Sequence, residues 1–382
     1  MRIPEEKMIY KNFKDKKLSA LGMGCMRLPL EGDSREIDVP AVREMVAYAI
    51  GHGLNYFDTA WGYHGGKSES VMGEVLSEYD RSSYYLASKF PGYDLNCFGK
   101  QAEIFEKQLE KCRVDHFDFY LFHNVCEMNI ERYLDPQYGV ADYLLEQKKN
   151  GRISHLGFSC HGQIPVLRSF LERYGDIVEF CQLQVNWLDY GFQSAREKIA
   201  ICKEYGIPVW VMEPVRGGSL IKLEEEYESR LRELRPNESN AGWAFRFLQT
   251  IPDVTVTLSG MSNLEQMKEN VSLFEEEKPL SRDEMLALMS VAARMSGRNT
   301  VPCTACRYCT EYCPTELDIP HLIALYNEFT FTGGGFIAPM AIAALDEDKK
   351  PSACLGCRSC EAVCPQGIKI SEIMAAFAEA VK

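Results

Sequence analysis

Between Leu18 and Gly260 the chain repeats one unit, a short run rich in apolar and β-branched residues followed by a stretch whose apolar residues recur at helical spacing. The short runs lie at 18–24 (LSALGMG), 54–60 (LNYFDTA), 84–90 (YYLASKF), 117–123 (FDFYLFH), 153–159 (ISHLGFS), 178–186 (VEFCQLQVN), 207–213 (IPVWVME) and 254–259 (VTVTLS), and they predict eight strands. The stretches between them, such as 40–52, 101–112, 139–150 and 193–205, keep polar faces outward and predict helices laid on a sheet. Eight β-then-α units in series predict an α/β protein built on a closed, parallel (β/α)8 TIM barrel. An open α/β sheet is the alternative, but it more often has fewer strands. Asp58, Lys89, His123, Ser159, Gln182, Glu213 and Ser259 fall at strand ends. A barrel would gather them on its C-terminal rim, where such folds carry their chemistry.

After the eighth run comes a helical stretch at 263–274 and a break at Lys278-Pro279. Ser281 with Glu284 has the spacing of a capping box and predicts a helix over 282–296. A cysteine-rich region starts near Val301. The expected organisation is therefore a barrel over 1–280, a linker helix over 281–300 and a small domain over 301–382. That last domain is expected to be mainly α-helical, because 318–329 (DIPHLIALYNEF) and 337–348 (IAPMAIAALDED) read as helices around Gly333-Gly334-Gly335.

Composition narrows the function classes. With 46% apolar and 25% charged residues, the 382-residue chain has the make-up of a soluble globular protein with a sizeable core. A net charge of −13 and the lack of a long Lys/Arg run exclude a nucleic-acid partner, which needs a clustered basic surface. No apolar run is long enough to span a bilayer, and the N-terminal MRIPEEKMIYKNFK has no apolar export core. A cytoplasmic location is expected.

Fifteen cysteines in such a chain point to metal ligands or buried thiols rather than disulfides. Seven stand singly (Cys25, Cys97, Cys112, Cys126, Cys160, Cys181, Cys202) and read as small buried hydrophobes. The other eight form two runs, Cys303-x-x-Cys306-x-x-Cys309-x-x-x-Cys313-Pro314 and Cys354-x-x-Cys357-x-x-Cys360-x-x-x-Cys364-Pro365. This is the spacing of two-cluster bacterial ferredoxins, in which the fourth cysteine of each run ligates the other cluster. It assigns Cys303, Cys306, Cys309 and Cys364 to one [4Fe–4S] cluster and Cys354, Cys357, Cys360 and Cys313 to a second. Zinc sites normally use two cysteine pairs separated by a longer loop, which is not this pattern. With its helical insert, the region resembles the α-helical dicluster ferredoxin domain of multi-subunit redox enzymes. The resemblance implies electron exchange with a ferredoxin or another redox protein, and the acidic balance favours a partner with a basic rim.

The strand ends carry a second constellation. FDTAWGYHGGKSE, LASKF and LFHN put Asp58, Tyr63, Lys89 and His123 at one rim. Reduction of a carbonyl needs an acid at the oxygen that becomes negative. A tyrosine serves when an ammonium lowers its pKa, a carboxylate holds the ammonium, and an imidazole orients the substrate. In these residues, over roughly 8–275, the chain resembles the aldo-keto reductases. The resemblance implies Tyr63 as general acid, Lys89 as its tuner, Asp58 as the partner of Lys89 and His123 as the orienting group. It also implies a nicotinamide cofactor, NAD(H) or NADP(H), a small carbonyl or alcohol substrate, and nucleotide contacts from Gly24, Ser159, Gln182, Met212, Ser259, Glu269 and Asn270. The sequence departs from the family at three points. Cys160 stands where an asparagine is usual, Met212 replaces a stacking aromatic, and Gly260 and Gln266 replace the basic clamp on a 2′-phosphate, which favours NADH.

Two motif-like stretches are set aside. Gly22-Met23-Gly24-Cys25-Met26-Arg27 lacks the third glycine of a dinucleotide fingerprint, and Gly66-Lys67-Ser68 lacks the first glycine of a phosphate loop. Hydride moves two electrons together and a cluster takes one, so a flavin is the usual splitter between them. Three couplings stay open: clusters that feed a flavin or substrate in the barrel, clusters that dock a partner or sense redox state beside NAD(P)H-linked carbonyl reduction, and clusters that export electrons from an oxidation. An electron-carrier subunit with the barrel as scaffold is a further alternative.

Overall fold

A computed structural model describes residues 7–297 and 300–382. The chain divides into two compact units, the first ending at Met289 and the second made of Ser290–Lys382 together with Cys126–Met128. The first begins with an antiparallel hairpin, β1 (Tyr10–Phe13) and β2 (Lys16–Ser19), paired from Tyr10↔Ser19 to Phe13↔Lys16. The barrel strands follow: β3 (Leu21–Gly24), β4 (Tyr56–Asp58), β5 (Tyr85–Phe90), β6 (Phe117–Val125), β7 (Ile153–Cys160), β8 (Cys181–Gln184), β9 (Val209–Met212) and β10 (Val254–Ser259). They pair in parallel and in sequence, and β10 pairs β3 to close the ring.

The hairpin is where the predicted first strand changes. The run 18–24 divides at Ala20, its first residues completing β2 and the rest forming β3. The reason lies in the barrel's interior. Phe13, only 5% exposed, reaches a core of Tyr56, Ala87, Phe119, Leu121, Phe180, Trp210, Val256 and Leu258. Its ring meets Trp210 edge-on at 4.9 Å and His155 at 5.1 Å. Phe13 thus plugs the end of the barrel away from the strands' C-termini. The same end holds a partly buried carboxylate, Glu179, which pairs with Lys14 and Lys148 and sits 3.1 Å from His155 Nδ1.

Side chains two apart along a strand share a face. Tyr56, Ala87, Leu121, Phe180 and Trp210 fill the barrel. Asp58, Lys89, His123, Gln182 and Met212, each two residues further on, therefore point inward one layer nearer the mouth. Gly157 has the same phase on β7. A Cβ there would lie 2.4 Å from the Phe180 ring, so the missing side chain is what admits that ring.

The linking helix spans Arg282–Gly297, and residues 298 and 299 of the expected 281–300 segment lie outside the described residues. Its start is the reciprocal box the sequence suggests. Ser281 N–H donates to Glu284 Oε2 at 2.7 Å and Glu284 N–H to Ser281 Oγ at 3.3 Å. Glu284 also takes Arg235 Nε at 2.6 Å, a partner 49 residues away that no local pattern foretells.

The second unit is helical, and among the described residues no strand follows β10. Helices Ile319–Thr332, Ile337–Ala343 and Ile370–Ala380 bury Leu322, Ile323, Ala338, Ile342, Met374 and Phe377 in one small core. Gly333 ends the first helix at φ 65°, a left-handed cap that glycine takes without strain. Among the described residues no helix is long and apolar enough to cross a membrane.

Candidate active site and iron–sulfur centre

The site at the barrel mouth is organised by Lys89, whose side chain is completely buried. Its ammonium donates to Asp58 Oδ1 at 2.5 Å, to the Thr59 carbonyl at 2.8 Å and to the Tyr63 hydroxyl at 3.3 Å. The second oxygen of Asp58 accepts from Gln182 Nε2 at 3.1 Å. Three strands, β4, β5 and β8, are thereby tied at one point. The His123 ring stands edge-on to Tyr63 at 6.0 Å and to Tyr93 at 5.2 Å, and its Nδ1 has no hydrogen-bond partner among the described residues.

Burial pushes the Tyr63 phenol above its ordinary pKa, and the Lys89 charge, which pulls the other way, does not cancel it. Burial likewise opposes the Lys89 charge, but Asp58 and Tyr63 outweigh it and raise its pKa. Burial, the Lys89 charge and His161 push His123 well below its usual value. At neutral pH the site thus holds a protonated phenol, an ammonium and a neutral imidazole.

Local structure fixes these groups. The loop after β4 turns through His64 at φ 52° and Gly65 at φ 63°, and the Leu28 N–H donates to His64 Nε2 at 3.0 Å. Behind the site lies a group that sequence reasoning missed. Glu69, fully buried, accepts from Ser88 Oγ at 2.7 Å and from Gln108 Nε2 at 2.6 Å. Gln108 also donates to the Lys89 carbonyl at 3.0 Å and accepts from Tyr120 at 2.6 Å. The network clamps the backbone of Lys89. Glu69 lies just after the Gly66-Lys67-Ser68 stretch, in the first turn of the helix Ser68–Leu76.

The remaining rim residues fall into two groups. Ser159 Oγ accepts the Asn124 N–H at 2.8 Å, and Met212 ends β9 half-buried beside the inward residues. Gly24, Ser259, Asn270 and Glu269 lie around β10 and the helix Leu264–Leu273 instead. A Cβ on Gly24 would be 3.5 Å from the Ser259 carbonyl. Ser259 Oγ accepts from Asn270 Nδ2 at 3.0 Å, and Glu269 accepts from Ser239 at 2.7 Å. Gln266, in the place of a 2′-phosphate cation, bonds the Ser262 N–H at 2.9 Å. Arg27, also unforeseen, packs 3.3 Å from a Cβ at Gly260 and faces Glu213 at 3.8 Å.

In the second unit the fourth cysteine of each run lines the cavity of the other. Cys303, Cys306, Cys309 and Cys364 wall one cavity, and Cys313, Cys354, Cys357 and Cys360 wall another. All eight thiols are free of disulfides. Among the described residues no three Cys, His, Asp or Glu side chains come close enough to hold one metal ion. Thiols spread around a cavity, rather than converged on a point, fit a cubane cluster.

Residues 20–293 match the model of the aldo/keto reductase family, and residues 302–368 that of a 4Fe–4S dicluster domain. The chain belongs to the aldo/keto reductase family and is an oxidoreductase with an attached 4Fe–4S dicluster domain. It is 24% identical over 303 residues to the NADH-specific methylglyoxal reductase of Escherichia coli, covering 67% of this chain and 89% of that one. The aldo-keto reductase AKR11C1 of Bacillus halodurans, in its holo form, matches the structure with a TM-score of 0.61 at 24% identity, over 74% of this chain and 96% of that one. An aldo-keto reductase of Klebsiella pneumoniae, solved in complex with NADPH, matches with a TM-score of 0.59 at 19% identity, over 75% and 96%.

Proposed function

We propose that the barrel reversibly reduces a small carbonyl compound to an alcohol with a nicotinamide cofactor, and that the eight clustered cysteines hold two [4Fe–4S] clusters that exchange electrons with a redox-protein partner. The domain limits that go with this reading are a barrel over 1–280, a linking helix over 281–300 and the cluster domain over 301–382. The observation that carries it is the Lys89 ammonium, shared between Asp58 and Tyr63 in a fully buried setting.

A nicotinamide bound at the mouth supplies the hydride. The chain's own residues handle the proton. Tyr63 gives its phenolic proton to the carbonyl oxygen as charge builds there. Lys89 stabilises the tyrosinate that remains, and Asp58 keeps Lys89 charged. Neutral His123 holds the substrate oxygen in line with the phenol. Ser159, Gln182, Met212, Gly24, Ser259, Glu269 and Asn270 are the proposed nucleotide contacts. NADH is the preferred form, because Gly260 and Gln266 present no cation to a 2′-phosphate. The E. coli relative's name points the same way.

A second reading is a ferredoxin-linked reductase that does not use NAD(P)H directly. It is favoured by the Gln182 amide being engaged with Asp58 and by Met212 in place of an aromatic ring. Tyr63→Phe tests the first reading, with NADH as donor and methylglyoxal as carbonyl probe under anaerobic conditions. Activity should fall by about 10²- to 10⁴-fold, the usual contribution of a positioned acid, while NADH binding is retained. Activity that survives the substitution would refute the proposed role.

A further inference from the structure

The two cysteine runs repeat each other in backbone as well as in spacing. Ala305 and Gly356 have φ of 54° and 66°, Arg307 and Arg358 of 65° and 63°, and Glu316 and Gly367 of 53° and 63°. Matched residues therefore present their amides in the same way, and what differs between the sites is the side chains placed on a common frame.

One of those differences is a pair of contacts to a ligand sulfur. Cys313, which lines the second cavity, has the Thr315 hydroxyl at 3.4 Å and accepts the Leu317 N–H at 3.4 Å. At the matching places in the first cavity stand Gln366 and Ile368, and among the described residues neither donates to Cys364.

A [4Fe–4S] cluster gains one negative charge when it takes an electron. Donors aimed at its sulfurs stabilise that reduced form and raise its potential. We infer that Thr315 and Leu317, which contact the Cys313 sulfur, make the site walled by Cys313, Cys354, Cys357 and Cys360 the higher-potential member of the pair. One electron supplied by a one-electron donor then rests on that site, and the site of Cys303, Cys306, Cys309 and Cys364 is reduced second. The inference rests on the reading of the eight cysteines as two cluster sites.

The test uses the full chain, purified anaerobically, with iron and sulfide assayed before a potentiometric titration followed by electron paramagnetic resonance. Iron and sulfide short of two clusters in the native chain would overturn the cluster reading itself. With both clusters present, two reduction steps are expected. Thr315→Val should lower the higher step by about three- to tenfold in its one-electron equilibrium constant, the effect of losing one hydrogen bond of ordinary net strength, and leave the lower step in place. Should that variant lose its cluster, Gln366→Thr asks the reciprocal question and should raise the lower step. Full iron content with variants that move the wrong step, or neither, would overturn the inference and leave the cluster reading standing.

Discussion

Replacing Lys89 by methionine should cost the barrel far more than the loss of one exposed charge. The ammonium has three donors, and all are committed, to Asp58 at 2.5 Å, Thr59 at 2.8 Å and Tyr63 at 3.3 Å. Methionine fills the space but leaves the Asp58 carboxylate, itself only 3% exposed, with the Gln182 amide at 3.1 Å to hold it. Removing one member of a buried pair typically costs about 3–5 kcal/mol, most of it the penalty of the stranded charge. Asp58→Asn strands the ammonium and should cost a comparable amount. The double variant Asp58→Asn/Lys89→Met strands neither, so it should be more stable than the sum of the singles by on the order of 2 kcal/mol. Urea unfolding followed by tryptophan fluorescence reads this, because all four tryptophans (Trp61, Trp187, Trp210, Trp243) lie in the barrel. A single-variant cost below about 1 kcal/mol, the range of exposed pairs, or singles that simply add, would refute the argument.

Other outcomes follow from the same geometry. Burial holds the Tyr63 proton to higher pH than in free tyrosine and keeps His123 neutral, so carbonyl reduction should stay level through neutral pH and decline only on the alkaline side; an acid-side limb near the ordinary histidine value in the pH–rate profile would contradict this. Glu179 is held well below the usual carboxylate range against the cost of burial, by bonds from His155, Lys14 and Lys148. Its contribution is therefore full above the unfolded carboxylate value and lost as pH falls below it. Denaturation of Glu179→Gln should show a deficit at neutral pH that shrinks in acid. Glu284→Ala removes both the capping box and the Arg235 contact and should cost about 1–2 kcal/mol, measured by thermal unfolding. Stripping iron with a chelator should leave the barrel protease-resistant and expose the chain beyond residue 300 to digestion, because the cysteine-walled cavities would lose what fills them.

Much of this was legible in the chain because it depends on periodicity and spacing. Eight apolar runs separated by amphipathic stretches prescribe a ring of parallel strands, and period-two alternation alone carries Asp58, Lys89 and His123 to one rim. What the sequence hid depends on contacts between distant residues. Leu18 and Ser19 could not be told from the start of a barrel strand until Phe13 was seen inside the ring. Glu69 carried no signal of its own, since its partners Ser88 and Gln108 come from two later elements. Gln182 was expected to hold a cofactor amide, and its bond to Asp58 spans 124 residues. The reduction of Tyr63's pKa by Lys89 was argued from charge alone. Burial, which only the fold reveals, prevails in the resting site.

The most direct test of the hydride chemistry is to follow the label from a nicotinamide that carries deuterium at its transferable position, using anaerobic protein with its clusters intact and the carbonyl probe as acceptor. Deuterium on the alcohol carbon of the product is the predicted result, with the hydroxyl hydrogen drawn from solvent through Tyr63. Product alcohol whose carbon carries solvent hydrogen instead would mean that hydride does not pass directly from the nicotinamide to the substrate, and would contradict the account of the barrel site.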